Sequence, residues 1–98
     1  MIEKYIIMIS DNASIGMIYD RDCKQVSLGG NYKFRLSIES VISDYFGDEI
    51  PEPVSVQKNK LRYVLSGKSK DDVARAMNLL EDHGFVVEQV TKLGRLMI

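Results

Sequence analysis

Residues 54–90, VSVQKNKLRYVLSGKSKDDVARAMNLLEDHGFVVEQV, decide the fold class of this chain. Two short β-prone runs, Val54–Gln57 and Leu61–Ser66, flank the turn Lys58-Asn59-Lys60, a spacing typical of a β-hairpin. A helix follows this hairpin, and Phe85–Val90 then predicts a last strand. The stretch therefore predicts the element order β-β-α-β.

The helix within this stretch has the clearest start and stop signals in the sequence. Ser69 is placed to accept the first free backbone amides, and Asp72, three residues later, can return the bond as in a capping box. The apolar stripe that follows consists of Val73, Ala76, Met77 and Leu80. His83-Gly84 supplies the expected helix end.

The first half of the chain begins with a strand suited to the middle of a sheet. Residues 4–10, KYIIMIS, are apolar on both faces, as a strand covered on both sides requires. A turn-forming cluster separates them from the extended run Ile15–Tyr19, which predicts an antiparallel hairpin. Gln25–Leu28 predicts a third short strand, and Gly29 and Gly30 are expected to end it.

A second helix is predicted from Phe34 onward. Apolar residues recur there at intervals of three and four, namely at Ile38, Val41, Ile42, Tyr45 and Phe46. Gly47 is a plausible stop, and residues 48–53 contain both prolines, so they form a loop.

Together these elements predict one α+β domain over residues 1–98. The order fits a ferredoxin-like β-α-β-β-α-β plan with an extra N-terminal β-hairpin after the first strand, in which two helices cover one face of an antiparallel or mixed sheet. A mixed sheet of five or six strands with both helices on one face is the alternative. Residues 93–98 are expected to extend the last strand or to fold back.

Composition restricts the function classes. A formal charge of −1 over 98 residues gives no overall field toward nucleic acid or an anionic membrane. The apolar run in the first strand is far shorter than the roughly 20 residues of a membrane helix. A single cysteine, Cys23, cannot form an intrachain disulfide and suits a reducing compartment, which predicts a cytoplasmic protein. A homodimer would add buried surface to so small a core.

The charges divide between two neighbouring segments. Residues 36–52 carry five acidic and no basic side chains, whereas residues 53–70 carry five basic and no acidic ones. Apolar anchors ringed by charge are typical of recognition surfaces. The acidic segment therefore predicts a protein-binding patch made of Glu39, Asp44, Phe46, Asp48, Glu49 and Ile50.

No catalytic constellation is apparent in the sequence. His83 is the only histidine, and no second histidine or cysteine stands near it to complete a triad or a metal site. We therefore expect a small non-enzymatic binding or regulatory protein without a cofactor, which acts through an interface with a protein partner. A microbial or phage accessory protein fits this profile.

Two alternatives stay open. A nucleic-acid-binding module would use the basic side chains of the second hairpin and the turn after it to contact phosphates, with Tyr63 stacking on a base. The basic residues are Lys58, Lys60, Arg62, Lys68 and Lys70. The same basic residues are also expected if their only role is to protect a sheet edge from aggregation. The second alternative is a small-ligand sensor, since ferredoxin-like dimers that bind metabolites between chains resemble this layout.

Overall fold

The computed structural model describes residues 1–90, apart from the side chains of Ser55 and Val56. The expectation for residues 93–98 lies outside this range. Six strands form one sheet: β1 (Ile2–Ser10), β2 (Ala13–Asp20), β3 (Gln25–Asn31), β4 (Val54–Gln57), β5 (Lys60–Ser66) and β6 (Val86–Val90). Helix α1 (Arg35–Ser40) follows β3, and helix α2 (Lys70–Asp82) precedes β6. None of the helices within residues 1–90 is long and apolar enough to cross a membrane.

The sheet is antiparallel throughout, in the order β4-β5-β3-β2-β1-β6. This confirms the α+β class with an antiparallel sheet and two helices. The β-α-β-β-α-β plan needs one correction. The hairpin predicted as an addition supplies β2 and β3, and these strands lie inside the sheet, where they separate β1 from β5. Short turns pair each strand with the next, so β1, β2 and β3 form a meander.

The third strand is longer than predicted. It continues through Gly29 and Gly30 to Asn31 instead of ending at Leu28. Gly29 pairs with Gly16 on one side and Arg62 on the other. Hydrogen bonds to two flanking strands outweigh the low strand propensity of glycine, because β-propensity depends strongly on context.

One face of the sheet carries the core. Tyr5, Met17, Leu28 and Tyr63 are aligned across four strands by the register and are all buried. Residues from both helices join the same hydrophobic cluster, among them Ile38, Ile42, Val73 and Leu80. Both helices therefore pack on this face, as predicted from their apolar stripes.

The predicted helix 34–46 changes its winding along its length. A 3₁₀ turn (Tyr32–Phe34) leads into α1, and a π-helical turn (Val41–Tyr45) follows it. In that wider turn the Phe46 amide donates to the Val41 carbonyl at 3.2 Å. Gly47 ends the segment with φ of 69°, a conformation that favours glycine.

Hydrogen bonds and an ion pair fasten the end of the molecule where α2 begins. The predicted capping box is present: the Asp72 amide donates to the Ser69 hydroxyl, and the Ser69 amide donates to the Asp72 carboxylate. The Tyr19 hydroxyl donates to the Lys68 carbonyl at 2.9 Å. The Lys68 ammonium lies 2.6 Å from Asp48 and so ties the loop after the π-turn to α2. We call this region the closed end.

Candidate functional site

The opposite end of the core face opens into an apolar cleft. Its volume is about 340 Å³, and its lining comes from β1, the α1–π segment and Phe85, the residue before β6. The principal lining residues are Ile9, Leu36, Ser40, Val41, Tyr45 and Phe85. A cleft of this size is at the lower end of the range for small ligand sites and can hold one large side chain.

Leu36 is the most exposed large apolar residue of the described chain, with 80% of its surface in contact with solvent. It follows Arg35 at the start of α1, whereas the inward stripe of that helix begins at Ile38, which is fully buried. Leu36 is therefore not needed to pack α1 on the sheet. The Leu36 side chain lies at the edge of the cleft, and no residue among 1–90 covers it.

The π-turn supplies the aromatic wall of the cleft. Tyr45 ends the turn and meets Phe85 edge to face, with ring centroids 6.1 Å apart. It also meets His83 edge to face at 5.5 Å. Edge-to-face packing of this kind holds aromatic rings in defined orientations. The wall therefore links the α1–π segment to the end of α2.

A second cleft adjoins the first and shares Ile9 and Phe85 with it, and apolar side chains, among them Met8 and Val86, line it together with polar ones. It has a volume of about 360 Å³, and Ser10, Asp11 and His83 supply most of its polar side-chain lining. His83 Nδ1 is 2.8 Å from the Leu79 carbonyl, which can only accept, so Nδ1 is the protonated nitrogen. In the neutral ring the Nε2 atom is then free to accept a hydrogen bond.

The electrostatics of this end are negative. Among the described residues, no lysine or arginine lines either cleft. Asp11 lines the second cleft. Asp44 accepts a 2.8 Å hydrogen bond from Ser40, and Ser40 lines the apolar cleft. The last turn of α2 carries Glu81 and Asp82 and no basic residue, beside the negative end of the helix dipole. Of these carboxylates, only that of Asp11 lines one of the two clefts.

The residues of the predicted protein-binding patch differ in their exposure to solvent and in whether they bind another residue of the protein. Asp44 and Glu49 are exposed, and Ile50 is 44% exposed. Glu39 accepts hydrogen bonds from Tyr63 and Arg35, and these partners hold the pKa of its carboxyl below the ordinary value. Asp48 is paired with Lys68.

Phe46 is partly buried against the core. A substitution of Phe46 would therefore disturb core packing as well as the predicted patch. The structure brings Asp44 to the clefts and places Glu39 and Asp48 in internal contacts.

The predicted basic surface is divided between the two ends of β5. Lys58 lies in the hairpin turn and Lys60 is the first residue of β5, and both line a small polar cleft with Asn31. Lys68 and Lys70 lie beyond the other end of β5. Arg62 is on β5 itself, and its Nε atom is buried without a hydrogen-bond partner among the described residues.

Tyr63 cannot stack on a base, so that prediction is wrong. Its ring is fully buried in the core row, and its hydroxyl donates to Glu39 at 2.7 Å. Burial and the bond to Glu39 raise the pKa of Tyr63 to about 12. The side chain alternates to the face opposite Arg62, because successive residues of a strand point to opposite sides.

The site residues that sequence reasoning missed are Ile9, Leu36 and Phe85. Leu36 carried a usable signal, since it is a large apolar residue two positions before the start of the inward stripe at Ile38 and therefore off that stripe. Ile9 and Phe85 carried none, because apolar residues at strand ends are ordinary. Their meeting depends on the pairing of β6 with β1.

The thiol of Cys23 is exposed in the β2–β3 turn, far along the chain from the cleft residues. A hydrogen bond to Asp20 and the negative charge of that residue raise the pKa of this thiol. An acidic neighbour of this kind disfavours the thiolate form. Within residues 1–90, no three His, Cys, Asp or Glu side chains are grouped closely enough to share a metal ion.

No protein-family model, curated protein or solved structure matches this chain. Its function is therefore inferred from the geometry and chemistry of its own surface.

Proposed function

We propose that this chain is a small cytoplasmic, non-enzymatic binding protein with a regulatory role, and that it holds a short segment of a protein partner in the apolar cleft. The observation that carries the proposal is the position of Leu36, which is 80% exposed beside an apolar cleft. An exposed large apolar side chain next to a preformed cleft is typical of a surface that becomes buried on binding.

The energetics favour one apolar anchor from the partner. Burial of a leucine- or phenylalanine-sized side chain contributes about 1.5–3 kcal/mol. The cleft volume suits one such group, and the walls from Tyr45 and Phe85 are fixed by edge-to-face packing. Because the walls are already ordered, little side-chain entropy is lost on binding.

The acidic segment extends this surface. Asp44 stands beside the cleft through its bond with Ser40, while Glu49 and Ile50 are exposed in the loop that follows the π-turn. We assign Asp44 to the rim of the cleft, and Glu49 and Ile50 to outer contacts of the same partner. Rim charges steer association and select partners more than they add affinity.

Peptide selection tests the proposal. Random peptides displayed on phage are selected on the purified protein, and the Kd of each selected peptide is measured by fluorescence anisotropy for the wild type and for Leu36→Ala. The expected result is a family of peptides with one large apolar residue whose affinity falls about tenfold in the variant.

Val54→Ala is the matched control, because Val54 is 46% exposed on β4, at the sheet edge away from β1 and β6. It should leave the Kd unchanged, and Ile50→Ala should weaken binding by a smaller factor than Leu36→Ala. Recovery of no peptide, or of peptides that bind Leu36→Ala as tightly as the wild type, would overturn the proposal.

Nucleic-acid binding is the second candidate function. The observation that favours it is the grouping of Lys58, Lys60 and Asn31 around the polar cleft at the hairpin turn. Its test is binding of a single-stranded oligonucleotide, which should weaken steeply with salt and disappear in Lys58→Glu/Lys60→Glu. Small-ligand sensing by a ferredoxin-like homodimer stays a prediction.

A further inference from the structure

We infer that the partner segment pairs as an added antiparallel strand with the outer edge of β6, while its apolar anchor fills the apolar cleft. This inference rests on the proposed function and names the conformation in which the partner is bound. Phe85 lies directly before β6 and lines the apolar cleft. A strand that runs along β6 and continues past its first residue therefore reaches the cleft.

The backbone of β6 is the first reason. Among residues 1–90, β6 pairs with β1 alone, and the register is unbroken from Val86 to Val90. In an antiparallel pair, alternate residues direct their N–H and C=O groups to the neighbouring strand, and the residues between direct theirs outward. β6 therefore has a regular outer row of donors and acceptors, which the backbone of another extended chain matches.

The second reason is a difference between the two edges of the sheet. β4 has only four residues, Pro53 stands directly before it, and its register with β5 shifts between Ser55 and Gln57. Shortness, proline and irregular pairing are features that keep an edge strand from binding another strand. Residues 86–90, VVEQV, contain no proline and no lysine, and their register has no shift. The β6 edge is therefore the one suited to an added strand.

The side chains of β6 are the third reason. Val87 packs against the core, so Val86 lies on the opposite face of the sheet. Val86 is 53% exposed, and a neighbouring strand would cover it through a cross-strand pair. Strand addition combines backbone hydrogen bonds, which give affinity, with side-chain pockets, which give specificity. The β6 edge supplies the former, and the apolar cleft supplies the latter.

Glu88, in the middle of β6, argues against a second copy of this chain as the occupant. Antiparallel pairing of β6 with β6 of another copy over all five residues would place Glu88 opposite Glu88. Like charges directly opposite each other are destabilising. The occupant is therefore a different chain. Antiparallel pairing also sets its direction: it runs toward Phe85, so the apolar anchor follows the extended stretch in the partner sequence.

An N-methyl scan of a selected peptide tests the pairing. Each backbone amide of the peptide is methylated in turn, which removes one hydrogen-bond donor and keeps every side chain. The Kd of each peptide for the full wild-type chain is measured by fluorescence anisotropy. Methylation should weaken binding about tenfold or more at every second residue. The residues between are the matched controls and should change the Kd less than about twofold, and the anchor should lie C-terminal to the sensitive positions.

Amide hydrogen exchange of the full chain, followed by NMR with and without saturating peptide, reads the same contact on the protein. Alternate amides of β6 should exchange at least about tenfold more slowly in the complex. The amides of β4 are the matched control and should not change. Outer amides of β6 that are already protected in the free protein would overturn the inference. Protection independent of concentration would assign the edge to another part of this chain, and protection that grows with concentration would assign it to a second copy.

The outcomes separate this inference from the proposed function. If binding depends on Leu36 but methylation has no alternating effect, the strand pairing is wrong and the apolar anchor site stands. If no peptide is selected, or binding does not depend on Leu36, both fall. Loss of binding at every methylated position would indicate a helical ligand, whose amides bond within the segment, and would also contradict the strand pairing.

Discussion

The two ends of helix α2 border regions that differ in how completely the fold satisfies its own surface. At the closed end, Ser69 and Asp72 cap the helix, and Lys68 pairs with Asp48. At the other end, Glu81 and Asp82 lie beside the negative helix terminus, and Leu36 is left exposed beside an apolar cleft. The polar groups of the closed end make contacts within the protein, whereas Glu81 and Asp82 at the other end take part in no ion pair within residues 1–90.

The difference indicates where a binding surface of this chain is to be sought. The hydrogen bonds and the ion pair at the closed end stabilise the folded state, because they satisfy polar groups that are partly removed from water. The cleft end contributes less to folding, and it retains apolar and charged surface that a partner can use. Substitutions at the two ends should therefore separate stability from binding.

Among substitutions at the closed end, Lys68→Met is expected to have the largest effect on stability. The ammonium and the Asp48 carboxylate are 13% and 27% exposed, so the substitution leaves a partly buried carboxylate without its partner. Loss of one member of a fully buried pair costs more, and we expect a decrease of about 2 kcal/mol in the free energy of unfolding. Urea denaturation followed by circular dichroism measures it.

Arg75→Met is the matched control, because Arg75 is 68% exposed and its guanidinium lies 3.5 Å from Asp72, which is 35% exposed. Its cost should stay below about 0.5 kcal/mol. In an Asp48→Asn background, Lys68→Met should cost less than it does alone, because the uncompensated charge is gone. Equal costs for Lys68→Met and Arg75→Met would show that the ion pair does not join the loop to α2.

A smaller effect at the closed end should depend on pH. The Ser69 amide and hydroxyl, with Arg75 as a further contributor, hold the pKa of Asp72 below its ordinary value in the folded state. The stability from this group is complete above the unfolded-state value of about 4, and it is lost as the pH falls through the lower folded-state pKa. Denaturation of wild type and Asp72→Asn between about pH 6 and about pH 2 measures the difference.

Asp72→Asn keeps an acceptor oxygen but cannot titrate, so the stability of this variant should decrease less in acid than that of the wild type. Asp71→Asn is the control, since Asp71 lies in the same turn outside the capping box, and it should follow the wild-type pH profile more closely. Parallel profiles for all three proteins would mean that the capping carboxylate does not contribute to the acid sensitivity of the fold.

Sequence patterns predicted the elements better than their arrangement. The capping residues Ser69 and Asp72 located α2, because a cap is a local interaction between residues close in sequence. The continuation of β3 through Gly29 was missed, because it depends on pairing with Gly16 and Arg62 from distant segments. Nor does any local pattern state that β2 and β3 separate β1 from β5.

The candidate site was predictable only in part, for the same reason. Charge segregation pointed to the acidic segment, and Asp44 does lie beside the apolar cleft. Composition could not show that Glu39 accepts a hydrogen bond from Tyr63 or that Asp48 pairs with Lys68. Each of these contacts joins residues about twenty positions apart in the sequence. Which charges the fold leaves unpaired follows from tertiary structure and not from composition.

The smallest stability effect is expected at the cleft end, from Leu36→Ala. The leucine side chain is 80% exposed, and alanine is the best helix former, so the free energy of unfolding should change by less than about 0.5 kcal/mol. Ile38→Ala is the matched comparison in the same helix, because Ile38 is fully buried and should cost about 3 kcal/mol. A leucine that the fold does not need, and whose replacement weakens peptide binding about tenfold, would act in recognition. A loss from Leu36→Ala comparable to that from Ile38→Ala would instead make it a packing residue and remove the contrast between the two ends.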